Sequence, residues 1–552
     1  MPAKSQAFPI RTLLDSRSAD FGANRDAMMS KLTVIDALLD EAMDGGGEYH
    51  RERLAKRGKL PVRERISRVL DPDSPFLEIS PLAAYNSDYT VGGGSVAGIG
   101  VIAGVECVIF ANDPTVLGGA ITEYARKKWA RALEIARDNR IPYVSFVESA
   151  GADLRRNASE IDGTNPAYKP SKTFHFAESG RSFYDTIELS KLGIPTICVA
   201  FGSSTAGGAY QPGLSDYTVL VKDQSKIFLA GPPLVKMATG EETDDETLGG
   251  AKMHSETSGL GDYLAEDDDD AIRICREIVS HLNWRKAIPA QPADHDPPLL
   301  DPEELLGILD PDLKQNVEIR EIIGRVVDGS RFEDFKPLYG KSLVCGFATI
   351  HGFPVGIVAN NGVLYPEAAE KGAHFIQLCN QVDTPIIFLQ NLTGFIVGRE
   401  FEHAGIIKKG AQLINAVSNS NVPHLTVIVG NSYGAGTYAM SGRAFGNRFT
   451  FLWPTAKVAV MGGKQIAGVM SIVKRARAKR KNETFDEKEN EILSNLIAKQ
   501  QDAGSIALEA TGAISDDGII DPRDTRTVLA ICLSAVGNKD IKGAQGYGVF
   551  RL

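Results

Sequence analysis

Phe201-Gly-Ser-Ser-Thr-Ala-Gly-Gly-Ala-Tyr210 is the stretch on which the reading of the fold turns. The Pro-led apolar run Ile194-Pro-Thr-Ile-Cys-Val-Ala200 leads into it and reads as a buried strand. Small residues crowd the turn that follows, and Gly207 and Gly208 then open a helix. Glycine at such a point lets a ligand approach the backbone closely. The first N–H groups of a helix have no partner inside it, so they face outward and can hold a negative oxygen. A second stretch has the same build: Val422-Pro-His-Leu-Thr-Val-Ile428 leads into Val429-Gly-Asn-Ser-Tyr-Gly-Ala-Gly-Thr-Tyr438. Two such turns imply two anion sites.

Working outward, the two halves of the chain keep step. Pro195 and Tyr210 align with Pro423 and Tyr438 at one constant offset. Upstream, Ile141-Pro-Tyr-Val-Ser-Phe-Val-Glu-Ser-Ala-Gly151 aligns with Thr384-Pro-Ile-Ile-Phe-Leu-Gln-Asn-Leu-Thr-Gly394. Further up, Cys107-Val-Ile-Phe-Ala-Asn-Asp113 aligns with Val355-Gly-Ile-Val-Ala-Asn-Asn361. Constant local offsets with small jumps are the mark of two homologous halves with loop insertions. At 552 residues the chain is too long for one core, which fits two domains. The expected division is a helical arm and lead-in over 1–92, a first domain over 93–287, a Pro-rich linker over 288–303 and a second domain over 304–552.

The net charge of −10 argues against non-specific nucleic-acid binding. Six cysteines stand singly (Cys107, Cys198, Cys275, Cys345, Cys379, Cys532), several inside apolar runs. That pattern fits reduced core residues in the cytoplasm and gives no zinc spacing. No apolar run has the length of a membrane span, and the N-terminus lacks a signal core.

Other stretches carry weaker signals. Residues 20–70 read as helical, ending a first helix at Gly45-Gly-Gly47. The basic run from Arg57 to Pro72 reads as an amphipathic helix that is either a solvated arm packing on a partner subunit or a ligand site. Residues 93–113 read as a strand pair and Thr122–Ile135 as a helix. That helix carries Arg126, Lys127 and Lys128, three cations that could meet the phosphates of a nucleotide-like handle. The first half is longer between Gly151 and Pro195 than the second is between Gly394 and Pro423. The extra residues form a polar excursion around 155–170, and long loops beside a cleft are often functional. The acidic run Glu266–Asp270 caps a helix. Basic Lys474–Lys481 followed by acidic Glu487–Leu493 reads as a helical hairpin.

Backbone N–H donors aimed at an oxygen that gains charge are worth about 3–4 kcal/mol each. The first-half donors would come from the Ala150-Gly151 and Gly207-Gly208 turns, and the second-half donors from Thr393-Gly394 and Ala435-Gly436. No Ser–His–Asp set, HExxH or GxxxxGK[ST] accompanies them. Charge stabilisation without a side-chain nucleophile suits a thioester enolate.

Over nearly its whole length the sequence resembles the carboxyltransferase (beta) subunits of biotin-dependent acyl-CoA carboxylases. The resemblance rests on Arg57-Gly-Lys-Leu60, Arg63-Glu-Arg-Ile66, Leu70-Asp-Pro72, Thr205-Ala-Gly-Gly-Ala-Tyr210, Asn391-Leu-Thr-Gly-Phe395 and Val460-Met-Gly-Gly463. Within that family, Phe228-Leu-Ala-Gly-Pro-Pro-Leu-Val-Lys-Met-Ala-Thr-Gly240 is most similar to the methylcrotonoyl-CoA and geranyl-CoA carboxylase branch. The resemblance implies an α/β architecture of two tandem crotonase-type (ββα-superhelix) domains. It implies that Gly207 and Gly208 hold the thioester oxygen, helped by Ala150 and Gly151. It also implies that Ala435 and Gly436 hold the ureido oxygen of biotin, helped by Thr393 and Gly394. Biotin would arrive on a biotin carboxylase/biotin carrier alpha subunit, acyl-CoA would be the substrate, and this subunit would bind no metal. A hexameric beta core in an α6β6 holoenzyme would place each site between the first domain of one subunit and the second domain of another. The sequence departs from the family's common Asp-Ser-Gly-Gly-Ala at Glu148-Ser-Ala-Gly-Ala-Asp153, where Ala150 narrows the turn. The alternatives are a biotin-dependent acyl-CoA decarboxylase subunit, a crotonase-type hydratase or isomerase, and a non-catalytic assembly scaffold. Two intact glycine turns count against the last two.

Overall fold

The computed structural model describes residues 7–153, 180–288, 295–315, 317–544 and 546–551. The excursion expected at 155–170 and residues 289–294 of the expected linker lie outside the described residues. The chain divides into two compact units. One comprises Asp36–Ala287 with Gly512–Ile514, the other Met1–Ile35, Ile288–Thr511 and Ser515–Leu552.

The first unit is built on an eight-stranded sheet. Its strands are β1 (Leu77–Glu78), β2 (Ser95–Ile102), β3 (Val105–Asn112), β4 (Tyr143–Ser149), β5 (Thr196–Thr205), β6 (Tyr217–Val221), β7 (Lys226–Phe228) and β8 (Tyr263–Ala265). The order is β1-β2-β3-β4-β5-β6-β8, with β7 paired to β5. The first pairs are antiparallel, and pairing from β3 onward is parallel. Parallel strands covered on both faces become continuous apolar runs, which is why Ile197–Phe201 is buried throughout. The helix Val62–Val69 turns Val62, Ile66 and Val69 into the core. The helix Asp268–His281 adds Ile274, Cys275 and Ile278. Apolar residues three or four apart form one helix face, and burying each such side chain contributes roughly 1.5–3 kcal/mol. Local chemistry sets the ends. Thr122 Oγ1 accepts from Ala125 N at 3.0 Å and starts the helix Glu123–Asn139. Asp267, from the acidic run, caps Asp268–His281 by accepting from Asp270 N.

The second unit repeats the plan with β9 (Glu333–Phe335), β10 (Leu343–Ile350), β11 (Phe353–Asn360), β12 (Ile386–Leu392), β13 (His424–Tyr433), β14 (Phe449–Leu452) and β15 (Lys457–Ala459). The order is β14-β13-β12-β11-β10-β9, with β15 paired to β13. The repeat extends to register. Tyr143 pairs with Thr196 in the first sheet and Ile386 with His424 in the second, at positions the sequence alignment equates. In both sheets the register then slips. It does so between Val147 and Ser149 in β4, resuming at Ser149 against Ser204. In β12 it slips between Gln390 and Leu392, resuming at Leu392 against Ser432. Each longer strand therefore carries a bulge just before its glycine turn, and bulges re-aim the chain beyond them.

Two expectations are met and one is corrected. The hairpin forms as Gly463–Lys481 and Glu487–Gly504, tied by Arg475 to Glu487 at 2.6 Å. All six cysteines are buried, and none is in a disulfide. In the basic run at 57–72, however, three cations turn inward to carboxylates of the same unit. Arg63 pairs with Glu78 at 2.6 Å, Arg65 is buried against Asp268 at 2.9 Å, and Lys59 pairs with Glu148. Among the described residues no helix is long and apolar enough to cross a membrane.

Candidate active site

The first turn begins where β5 ends at Thr205. Ala206–Ala209 makes one 3-10 turn and Tyr210–Leu214 a five-residue helix, a tighter and shorter device than the helix expected to open at Gly207. Ala206 takes a positive φ of 52°, a conformation that costs a non-glycine residue energy and often marks functional turns. Gly208 is pressed inward. A Cβ built there lies 3.1 Å from Ser204 Oγ and 3.4 Å from Ser149 Cβ. Gly207 is open, and its built Cβ meets only Phe183 Cζ at 3.7 Å. Among the described residues no acceptor outside the turn itself is bonded to the N–H of Gly207 or Gly208.

The end of β4 packs against this turn. Gly151, at φ 85°, has a built Cβ 3.4 Å from Thr205 O. The expected helpers Ala150 and Gly151 do not point free amides outward. Ala150 N donates to Gly118 O at 3.1 Å, and Gly151 N donates to Ser149 Oγ at 3.2 Å. Both amides are thus spent on hydrogen bonds within the first unit. Gly151 O in turn accepts from Ile121 N at 2.8 Å, which brings the start of the helix Glu123–Asn139 alongside.

On that helix the three expected cations separate. Arg126 is half-buried and Lys127 is exposed, its Nζ reaching Ala513 O at 3.3 Å. Lys128 is buried, and its amine donates to Ser95 O at 2.6 Å and Gly92 O at 3.3 Å. Burial lowers its pKa to about 8. Lys128 therefore faces the sheet and cannot meet a phosphate. Successive residues of an α-helix point about 100° apart, so three in a row never share one face.

The second turn repeats the arrangement with one exchange. Gly434, at φ 60°, precedes the helix Ala435–Ala439, and its N donates to Ala459 O at 3.0 Å. A Cβ built on Gly436 would run into the Leu392 side chain and lie 3.4 Å from Gly394 Cα. Ala435 stands where the first turn has Gly207. Among the described residues no acceptor lies against the N–H groups of Thr393, Gly394, Ala435 or Gly436.

Sequence reading missed the aromatic rim. Phe183, on the helix Arg181–Lys191, lies 5.5 Å from the Tyr210 ring and 6.2 Å from Trp129. Tyr438, the counterpart of Tyr210, stacks on Phe445 at 5.6 Å. Both tyrosines are exposed. The aligned Tyr210 and Tyr438 were the available signal; Phe183 comes from a helix outside the repeat's landmarks. Asp153, which adds charge beyond the first turn, accepts from Tyr89 Oη at 3.2 Å. Among the described residues no group of three His, Cys, Asp or Glu could hold a metal ion.

The family described as the carboxyl transferase domain matches residues 53–545. The probable biotin-dependent acyl-coenzyme A carboxylase beta2 subunit of Mycobacterium tuberculosis is 52% identical, over 98% of this chain and 100% of that protein. The mitochondrial methylcrotonoyl-CoA carboxylase beta chain of Dictyostelium discoideum is 46% identical, over 98% of this chain and 90% of that one. Among solved structures, the beta subunit of P. aeruginosa geranyl-CoA carboxylase superposes with a TM-score of 0.87 at 43% identity, covering 99% of this chain and 100% of that one.

Proposed function

The chain belongs to the carboxyl transferase family as the beta subunit of a biotin-dependent acyl-CoA carboxylase, and from that premise we propose a division of labour between its units. The unit Asp36–Ala287 takes an acyl-CoA thioester. The unit carrying Ile288–Thr511 takes carboxybiotin, delivered on a biotin carboxylase/biotin carrier alpha subunit. Relatives named for methylcrotonoyl-CoA and geranyl-CoA support a branched enoyl-CoA as the substrate. The beta chains form a hexamer, and each site joins the acyl-CoA unit of one copy to the biotin unit of another. Six buried thiols outside any disulfide support a reducing, cytoplasmic location.

On this reading Gly207 and Gly208 donate to the thioester oxygen, and the hold tightens as that oxygen gains charge on proton loss. Ala150 and Gly151 form the wall that keeps the turn in place. Arg126 and Lys127 are the cations that remain for the phosphates of coenzyme A. The open N–H groups of Ala435 and Gly436, with Thr393 and Gly394, fit the ureido oxygen of biotin. Carboxybiotin, when bound, supplies carbon dioxide and a nitrogen that accepts the substrate proton. That chemistry asks the chain for no side-chain base, which suits turns made of glycine and alanine.

The observation that carries the reading is the duplicated bulge, which presses a glycine turn against the end of the central strand in both units. The test is to isolate the native protein with its partners, probe for biotin with labelled streptavidin, and assay ATP- and bicarbonate-dependent carboxylation of a CoA-thioester panel including 3-methylcrotonoyl-CoA and geranyl-CoA. A biotinylated ATP-dependent carboxylase partner and carboxylated enoyl-CoA are expected. A small biotin carrier with membrane subunits would reverse the direction of the reaction, and isolation without any biotinylated partner would end the reading.

A further inference from the structure

Glu148 is the last residue of β4 before Ser149 and lies where the register of β4 and β5 slips. Its side chain is 13% exposed and crosses the bulge of β5. A Cβ built on Gly202 would fall 2.5 Å from the Glu148 carboxyl, so only glycine at 202 leaves room for it. The carboxylate accepts from Lys59 Nζ, and from Arg65 Nη1 at 3.2 Å. Arg65 is held in turn by Asp268, with Nε donating at 2.9 Å, and its guanidinium lies 4.3 Å over the Phe201 ring. Asp268 also accepts from Leu60 N at 3.0 Å. Two cations, two carboxylates and the bulged strand thus form one buried cluster directly behind the first glycine turn.

Stability does not account for this cluster. Buried ion pairs lose in desolvation about what they gain in attraction, and apolar residues of similar volume often do as well. Arg65 Nη2 is buried without a hydrogen-bond partner, a further cost. The second unit points to what the cluster does. Asn391 is the counterpart of Glu148, and Gly430 the counterpart of Gly202. There the Asn391 amide fills the same space against Gly430, and its Oδ1 accepts from Asn431 N at 3.1 Å on the bulge. Both units therefore plug the bulge of the longer strand with the side chain that ends the shorter one. The biotin-side unit does so with a local amide, and the first unit with a carboxylate tied to residues 59 and 65.

We infer that Glu148, held by Lys59 and Arg65, is a positioning residue for the carboxylation reaction: it fixes the bulge of β5 and so aims the Gly207 and Gly208 N–H groups at the thioester oxygen. This rests on the function proposed above. It touches no reacting atom. An aiming role appears in kcat, because donors a fraction of an ångström out of place fail the charged oxygen more than the bound substrate. A role in folding alone appears in stability and assembly.

The experiment uses the full chain with its biotin-bearing partner and 3-methylcrotonoyl-CoA, with ATP and bicarbonate. Glu148→Gln keeps the shape and removes the charge. The double variant Lys59→Met with Glu148→Gln also keeps the charge balance, and so guards against loss of fold. In both, kcat falls about 10- to 100-fold, the size typical for a lost orienting partner, while KM for the thioester stays within about twofold. The double variant keeps the wild-type assembly and thermal midpoint. If Glu148→Gln does not fold, the double variant alone decides the question. A folded double variant at wild-type kcat overturns the inference, as does a loss carried by KM with kcat kept. A wild-type complex that carboxylates no thioester removes the proposed function, and the inference with it.

Discussion

Gly207 and Gly208 are neighbours with very different room around them. A methyl at 208 lies 3.1 Å from Ser204 Oγ, tighter than ordinary contact, and 3.4 Å from Ser149 Cβ, so the packing between the turn and Ser204 must give by a few tenths of an ångström to admit it. A methyl at 207 meets only the Phe183 ring edge at 3.7 Å, an ordinary contact. The second turn already carries Ala435 at the position of Gly207 while keeping Gly436. Gly208→Ala is therefore expected to lower kcat by up to the roughly 10²–10³-fold that a lost oxyanion donor costs. Gly207→Ala should change it by less than about 0.5 kcal/mol, as unconstrained substitutions do. Steady-state carboxylation by the two variants decides this, and equal losses would remove the distinction. Asp516 gives a prediction of another kind. Burial, with Asp517 beside it, pushes its carboxyl up to about 7. Between an unfolded value near 3.9 and that folded value, the native chain keeps a proton that the unfolded chain has released. Its stabilising contribution is thus full below about pH 4 and is lost toward pH 7, at about 1.4 kcal/mol per pH unit. Asp516→Asn carries no such proton, so its thermal midpoint should rise relative to wild type between pH 5 and pH 7 and hold the gain at pH 8. Parallel melting curves would contradict the assignment. The glycines were legible because a close approach leaves a mark on residue type. Asp516 was not, because a sequence records an acid without recording how deeply it is buried.

At the level of elements, the sequence was most informative where residue type and periodicity agree. The sequence announced helix starts at Thr122 and in the acidic run Glu266–Asp270, and the side chains of Thr122 and Asp267 accept the capping hydrogen bonds. The apolar runs of β4, β5, β12 and β13 were legible because both faces of a parallel sheet exclude polar residues. The hairpin of Gly463–Lys481 and Glu487–Gly504 was legible from charge. Lys479, Arg480 and Lys481 end the first helix, and Asp486, Glu487 and Glu489 begin the second, each sign matching the helix dipole beside it. Treating three neighbouring residues as a unit failed. Arg126, Lys127 and Lys128 are consecutive in sequence but diverge around the helix, and Lys128 turns to the sheet. The run at 57–72 misled for a related reason. Its partners Glu78, Glu148 and Asp268 are spread along the chain, so a set of internal ion pairs looked like a free basic face. The bulges were invisible as well: aligned strands of equal length give no hint that two residues face four across the slip.

For the whole molecule, the duplication was legible because each half obeys the same constraints at the same spacing. How copies of the chain combine was not, because an interface between copies leaves no internal repeat to align. The proposed function nevertheless makes a sharp demand on the assembly. If each site takes its acyl-CoA unit from one copy and its biotin unit from another, damage on the two sides separates into two classes of chain. Gly208→Val would spoil every acyl-CoA unit of its chain, and Gly436→Val every biotin unit, since a side chain at 436 collides with Leu392. Each variant alone should assemble and be inactive. In a pair of chains carrying one variant each, one site joins both damaged units and the other joins two intact ones. Co-expression in equal amounts, with random pairing across the symmetric interface, should then restore about a quarter of wild-type turnover. Activity that stays at the level of the single variants, with mixed assemblies demonstrated by two affinity tags, would show that each site is complete within one chain. Recovery near a quarter would fix the pairing, because only a site that takes its first turn from one copy and its second turn from another can escape both lesions.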